Sequence, residues 1–430
     1  MTRPGPVLLT GMFDMENYGD LLFPQIAQWR LAALGHDMIA VAPTGHATGL
    51  ADAMPAMSIA DMMSGTGPIT GVVVGGGYII HAHSMDFLED YQTHGTGTWC
   101  GAGLWLGATV AAAIRDVPIA WNAPGVPHPF SMRQRSLVHA ALAAASYAAV
   151  RDHGSAALLA TPARSPPAVV PDTIAEIARL WPRKSLADRY RHLLERKKIP
   201  MDARLLAVHV RNRSMAGLEP IELAGEISAF AQAHGLVPML VAVGRSHDDP
   251  KVARSLAQHM NGPLLLLDDP VDLREITAAL ANSAAYIGAS LHGYIVTAAY
   301  DIPGVLLGRP AYRKFAGFLE HTGRLQDLAR NWKQALQIGA LRVKEAPSTR
   351  IPPSVFAALD AHWNAIDTAM RKPAGHRDAR AQFLRNLLRL GLQSEGAGWP
   401  LMPFLGRATR ASERLAFPRK LMTEGTRLDG

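Results

Sequence analysis

The chain has 430 residues, 48% of them apolar and 18% charged, which is enough material for two buried cores. A single cysteine, Cys100, excludes an internal disulfide framework, and no apolar run reaches the roughly 18 residues that a membrane-spanning helix needs. The formal net charge of +7 sits wholly in residues 371–430, which hold 12 Lys+Arg against 5 Asp+Glu, while the rest of the chain holds 31 of each sign; a uniformly basic nucleic-acid binder would look different.

In chain order, the start Met1–Pro6 runs into Val7–Leu9, an apolar run too short for a signal-peptide core, so a cytoplasmic protein is expected. Val7–Thr10 reads as a strand ending at Gly11, followed by a helix over Leu21–Leu34 with Asp20 as its N-cap and Pro24 in its first turn. Strands follow at Met38–Ala42 and Val72–Val74, the latter ending in Gly75-Gly76-Gly77. Leu104–Ile114 reads as helix, Ile119–Asn122 as strand, Arg133–Ala145 as helix, then Tyr147–Val150 and Ala168–Val170 as strands ending at Arg151-Asp152 and Pro171-Asp172. A charged helical linker follows, and the alternation restarts: strands at Leu205–Val210, Val237–Val243, Leu264–Leu267, Ala285–Gly288 and Gly304–Leu307, with helices at Ile221–His234, Leu273–Asn282 and Tyr294–Tyr300 between them. Pro352–Met370 reads as a long helix.

Short all-apolar strands alternating with helices imply parallel sheets covered on both faces, here in two successive halves. We therefore expect an α/β chain with two facing Rossmann-type domains: an N-terminal domain over 1–180, a helical linker over 181–202, a C-terminal domain over 203–345, C-terminal helices over 346–392 and a basic tail over 393–430. The tail reads either as a solvated end or as a contact for anionic lipid at a membrane face. Within the basic end over 371–430, leucines at 384, 387, 388, 390 and 392, interleaved with Arg380, Arg385 and Arg389, suit an amphipathic helix on lipid or one docked on the protein itself.

In doubly wound sheets, ligands bind at the carboxyl ends of strands, so residues there are the site candidates. Ser290-Leu291-His292-Gly293 follows a strand and opens a helix. Ser290 suits the N-cap, and His292 in the first turn can donate to an anion or move a proton near neutral pH. Gly293 permits a close approach, while a histidine bonded only locally at a helix start has the same signature. Arg211 ends the first strand of the second half, where a guanidinium can grip a carboxylate or phosphate, or form a surface ion pair; His209, inside that strand, reads as structural. Asn17, Gly19 and Asp20 join the first strand to the first helix over the cleft, and Gly76 and Gly77 let backbone approach a ligand. His81 and His83 lack a third ligand for a metal, and Cys100 lacks a partner that would mark it as a nucleophile.

Taken together, Asn17-Tyr18-Gly19-Asp20, Val73-Val74-Gly75-Gly76-Gly77, Gly125, Val150-Arg151-Asp152 with Ser155, Pro171-Asp172, Arg211 and Ser290-Leu291-His292-Gly293 with Pro303 resemble the polysaccharide pyruvyl transferase family, over residues 7–310. The resemblance implies a GT-B-like fold. It implies transfer of a pyruvyl group from phosphoenolpyruvate to a sugar hydroxyl as a ketal, in surface or exopolysaccharide biosynthesis. Neither a metal nor a cofactor is required beyond phosphoenolpyruvate as co-substrate. The partners implied are that donor and a saccharide acceptor, with a lipid-linked form as one option. His292 becomes the acid/base candidate; Arg211, Ser290, Gly293 and Arg245 fall on the donor side, and Asn17, Gly19, Asp20, Gly76 and Gly77 on the acceptor side. Many members have Arg where this chain has Ser290, which removes a cation that Arg211, Arg245 or Arg309 could replace.

Two alternatives share the scaffold. A nucleotide-sugar glycosyltransferase often carries two glutamates eight residues apart in the second domain. Here the positions eight beyond Asp272 and Glu275 are Leu280 and Ser283. A non-catalytic member of the fold is the other, motivated by Ser290.

Overall fold

A computed structural model describes residues 5–401, except 161–165, 216, 246, 247 and 347, so most of the basic tail lies outside the described residues. Seven parallel strands, β1 (Val7–Thr10), β2 (Met38–Ala42), β3 (Ala56–Ser58), β4 (Gly71–Val74), β5 (Ile119–Trp121), β6 (Tyr147–Val150) and β7 (Ala168–Val169), form a sheet in the order β3-β2-β1-β4-β5-β6-β7. A second parallel sheet takes β8 (Leu205–His209), β9 (Val237–Val241), β10 (Leu265–Leu267), β11 (Ala285–Gly288), β12 (Gly304–Leu307) and β13 (Leu328–Ala329) in the order β10-β9-β8-β11-β12-β13. Both sheets are doubly wound, with the strand order reversing beside β1 and again beside β8. The architecture is GT-B-like. The edge strands β3 and β13, at three and two residues, are too short to leave an apolar signature in the sequence.

The all-apolar strands are buried on both faces. Along β1, Val7 and Leu9 enter one core and Leu8 enters the opposite one; along β8, Leu205 and Ala207 face one way, Leu206 and Val208 the other. The cluster holding Val7 and Leu9 is the one that holds Leu205 and Ala207, so a continuous apolar body joins the two sheets. With each buried Leu or Val contributing about 1.5–3 kcal/mol, this body fixes the domains against each other.

The first helix spans Tyr18–Ala33 and so begins three residues before the expected Leu21. Asn17, not Asp20, is its N-cap by backbone conformation, and Pro24 lies inside the helix, where it forfeits a ladder bond. The cause is tertiary. The Tyr18 N–H donates to the Val243 carbonyl (2.8 Å) and Asn17 bridges Gly244, so the loop is tied to the end of β9 in the other domain and the helix starts from that tether.

The helices Pro353–Met370 and Arg377–Glu395 return to the N-terminal domain. His362 bonds Tyr147 (2.9 Å) and Asn122 (2.8 Å), and Trp363 Nε1 donates to Glu176 (2.8 Å). Phe383 is fully buried, Arg380 reaches Asp116 (2.8 Å), and Leu384 and Leu387 pack on the core, so this leucine- and arginine-rich helix docks on its own protein while Leu388 and Leu392 stay exposed. Among the described residues no helix is long and apolar enough to cross a membrane.

Candidate active site

Two helix N-termini meet in the cleft between the sheets: that of Tyr18–Ala33, following β1, and that of Leu291–Ala299, following β11. Both present partial positive charge to the same space. Ser290 caps the second, its Oγ accepting from the Gly293 N–H (3.2 Å), and the Tyr286 hydroxyl clasps the turn by donating to the Ser290 carbonyl (3.0 Å).

His292 stands in the first turn of that helix with its ring edge-on to Phe23, centroids 5.6 Å apart. Its Nε2 is buried with no hydrogen-bond partner and lies 3.8 Å from Asp172 Oδ2. The other ring nitrogen faces Gly19, where a Cβ would stand 1.5 Å from Nδ1. Behind them, a Cβ on Gly76 would come within 2.2 Å of the Phe23 ring. These two glycines are therefore the clearance that seats the imidazole.

Around His292 lies a chamber of about 170 Å³ lined by Asn17, Asp20, Tyr78, Arg151, Arg211, Ser290, Lys314 and neighbouring apolar side chains. Arg151, at the end of β6, is buried. Its Nη1 reaches Asp172 at 3.4 Å, its Nε stands 3.9 Å from Asp152 Oδ2 and its plane covers the Tyr78 ring, but Nε and Nη2 have no hydrogen-bond partner. Arg211 stands 3.7 Å from Asp249, and its Nε is likewise without a hydrogen-bond partner. Lys314 retains partial exposure, yet burial pushes its ammonium pKa down to about 7, helped by Arg151 and Arg211 and opposed by Asp20 and Asp172. A depressed lysine and two under-paired guanidinium groups mark a site built to receive negative charge.

The two carboxyls differ. Burial raises the pKa of Asp20, against the opposing pull of His292, Lys314, Arg151 and Asn17, whose Nδ2 donates to it at 2.6 Å. Burial acts upward on Asp172 as well, but His292, Arg151 and the Ile174 N–H outweigh it and hold that carboxyl below its usual range. One carboxyl is thus poised to take a proton, while the other stays ionised beside His292.

A family model described as polysaccharide pyruvyl transferase matches residues 17–310, more than half of the chain. The chain belongs to the polysaccharide pyruvyl transferase family. No curated protein matches it by sequence. Among solved structures it is similar to the UDP-GlcNAc 2-epimerase of Methanocaldococcus jannaschii, with TM-score 0.53 and 11% identity over 84% of this chain and 99% of that one. The UDP-GlcNAc 2-epimerase of Neisseria meningitidis gives TM-score 0.50 and 10% identity over 90% and 100%. At such identities the likeness concerns the fold.

In this member of the polysaccharide pyruvyl transferase family, the fold brings Asn17, Asp20, Arg211, Ser290 and His292 to one chamber. Gly19 and Gly76 stand behind it as clearance for His292 and Phe23. Gly77, at φ +95°, backs Asp20, and Gly293 admits the Tyr286 hydroxyl, which a Cβ would meet at 2.7 Å. Arg245 is not brought there: its Nε pairs with Glu16 (3.1 Å) in an adjoining cavity. Arg309 is not among the lining residues either. Sequence reasoning gave no site role to Arg151, although it ends its strand just as Arg211 does, and that shared position was a usable signal. Lys314 lies in the helix Arg313–Thr322, which no periodicity announced, and nothing local marks it. His81 also lines the chamber, kept neutral by burial and by His83 and His128, which bring its pKa to about 4. Cys100 is buried, and burial followed by Asp14 pushes its thiol up to about 12.

Proposed function

We propose that the chain transfers a pyruvyl group from phosphoenolpyruvate to hydroxyls of a saccharide as a ketal. The observation that carries this is the buried, under-paired Arg151 guanidinium converging with Arg211, Lys314 and the His292 helix N-terminus on one small chamber. A carboxylate and a phosphate on one compact molecule need just such a set: a planar fork for one, a second cation for the other, and helix N–H groups between them.

In this scheme His292, as imidazolium, gives its proton to the methylene carbon of the enol, and positive charge develops on the carbon bearing the phosphate. Asp172, 3.8 Å from the His292 Nε2, is the carboxylate nearest to balancing the imidazolium charge. Asp20, with its raised pKa, accepts the proton of the attacking hydroxyl. The C–O bond to phosphate breaks and inorganic phosphate leaves, with Arg151 and Lys314 balancing its charge. A second hydroxyl of the same acceptor then closes the ketal. Overall, one hydroxyl proton ends on the new methyl group and the other on phosphate. Lys314 supplies the cation that Ser290 does not.

The test is phosphate release from phosphoenolpyruvate in the presence of saccharides, with the product examined for a pyruvate ketal. His292→Ala should bind phosphoenolpyruvate but turn over roughly 10²–10⁴-fold more slowly, the usual range for a lost general acid. Unchanged turnover in that variant would remove His292 from the mechanism.

A further inference from the structure

A second cavity, of about 610 Å³, adjoins the chamber, and Met15, Phe87 and Leu88 line both. Sites for small molecules usually run to roughly 300–1,000 Å³, so the inner chamber is small for a donor and a sugar together, whereas the outer cavity has room for more than one ring. Its walls come from both domains. The N-terminal side supplies Asp14, Glu16, His46, Thr48, Glu89 and His94, and the C-terminal side supplies Arg245 and Asp248.

The chemistry of these walls selects a ligand class. Phe87 is 77% exposed although it sits at the junction, which leaves an apolar ring open to the cleft. The carboxylates of Asp14, Glu16, Glu89 and Asp248 outnumber the one guanidinium, and that guanidinium, Arg245, is paired with Glu16. Such walls repel a diphosphate. They offer hydroxyl groups the exposed Glu89 carboxylate and the Thr48 Oγ1, which is buried without a hydrogen-bond partner, whereas Asp14 is already bonded by Thr44, Gly45 and Tyr91, Asp248 pairs with Lys251, and His46 and His94 bond each other. A flat aromatic face beside carboxylates complements a pyranose, which has an apolar C–H face and a rim of hydroxyls.

We propose that the outer cavity is a saccharide subsite, and that the acceptor presents an uncharged segment of at least two sugar rings. The reacting ring lies at the Met15–Leu88 junction and the next ring lies against Phe87. This rests on the pyruvyl-transfer reading for the identity of the inner ligand. The contacts with remote rings hold the reacting hydroxyl before the chamber and thereby contribute to turnover as well as to binding. Because Arg245 and Asp248 face the N-terminal wall, the sugar chain touches both domains.

The experiment uses the full chain on an array of uncharged monosaccharides and oligosaccharides, with phosphoenolpyruvate titrated separately on the same preparations. Wild type should bind oligosaccharides more tightly than the matching monosaccharides. Phe87→Ala and Glu89→Gln, both at exposed positions, should weaken that binding roughly tenfold at unchanged melting temperature, the size expected for loss of an anchoring contact. The proposal is overturned if wild type binds no glycan, if it holds monosaccharides as tightly as oligosaccharides, if both variants match wild type, or if UDP-GlcNAc displaces the bound glycan. If phosphoenolpyruvate fails to bind while the glycan results hold, the pyruvyl-transfer reading falls and the saccharide subsite stands.

Discussion

Lys314 offers a sharp test because the same charge should cost stability and provide function. In the folded chain its pKa is about 7 against an ordinary 10.5, with burial the leading cause. A fall of that size corresponds to at most about 5 kcal/mol. Lys314 keeps partial exposure, and solvent screening brings the realised penalty to about 1–3 kcal/mol. The sign follows from the folded value lying below the unfolded one. The unfolded chain binds more protons between pH 7 and 10.5, so the penalty is fully present below pH 7 and fades as pH rises through that window. Lys314→Met keeps the apolar stem among Tyr78, Tyr312 and Phe315 and removes the charge. It should therefore raise the free energy of unfolding at pH 6 by about 1–3 kcal/mol, with the gain shrinking by pH 9. The same variant should bind phosphoenolpyruvate about 10–100-fold more weakly at pH 6, through loss of one desolvated charge-assisted contact. Urea unfolding at the two pH values and a calorimetric titration measure both effects. A variant that is no more stable than wild type at pH 6, or whose gain persists undiminished at pH 9, would refute the argument that Lys314 is held against its own desolvation. Wild-type donor affinity should likewise decline above about pH 7, as the ammonium loses its proton.

Three further outcomes follow from the geometry. Arg151→Met should lower phosphoenolpyruvate affinity by at least about 10-fold while the far-ultraviolet circular dichroism stays native; donor binding equal to wild type would remove Arg151 from the donor site. Gly19→Ala places a Cβ 1.5 Å from His292 Nδ1, so it should drive the ring out of its seat. That variant should lose most turnover and about 1–3 kcal/mol of stability, and an active, equally stable Gly19→Ala would show that the imidazole is not held there. Asp20 must be deprotonated to act as the base, and its pKa is raised, so the activity of wild type should fall as pH drops through that raised value. Asp20→Asn should be slow and should lack this acidic limb in its pH–rate profile; a limb that persists in the variant belongs to another group.

Much of the fold was legible because burial in a parallel sheet is a local property. An apolar run such as Val7–Leu9 or Val305–Leu307 announces cover on both faces, and the polar or glycine residue that follows it marks the edge where ligands gather. Ser290 as N-cap and His292 in the first helical turn were readable for the same reason, since a cap is decided within four residues. The start of the first helix was not readable. Asn17 and Asp20 are equally good caps by propensity, and what selects Asn17 is that its backbone and that of Tyr18 are claimed by the end of β9.

The distribution of charge in the site is where the sequence by itself stopped. It placed cations at strand ends but did not say which would face one another. Arg151, Arg211 and Lys314 come from different elements and share one chamber only after the two sheets close on their common apolar core. Arg245, an equally plausible strand-end cation, is drawn instead to Glu16 in the outer cavity. Periodicity and caps are set by neighbours along the chain. A pKa moved to about 7 and a guanidinium with nitrogens left without hydrogen bonds are set by groups distant in sequence, through desolvation and short-range Coulomb forces, and only the tertiary structure decides those.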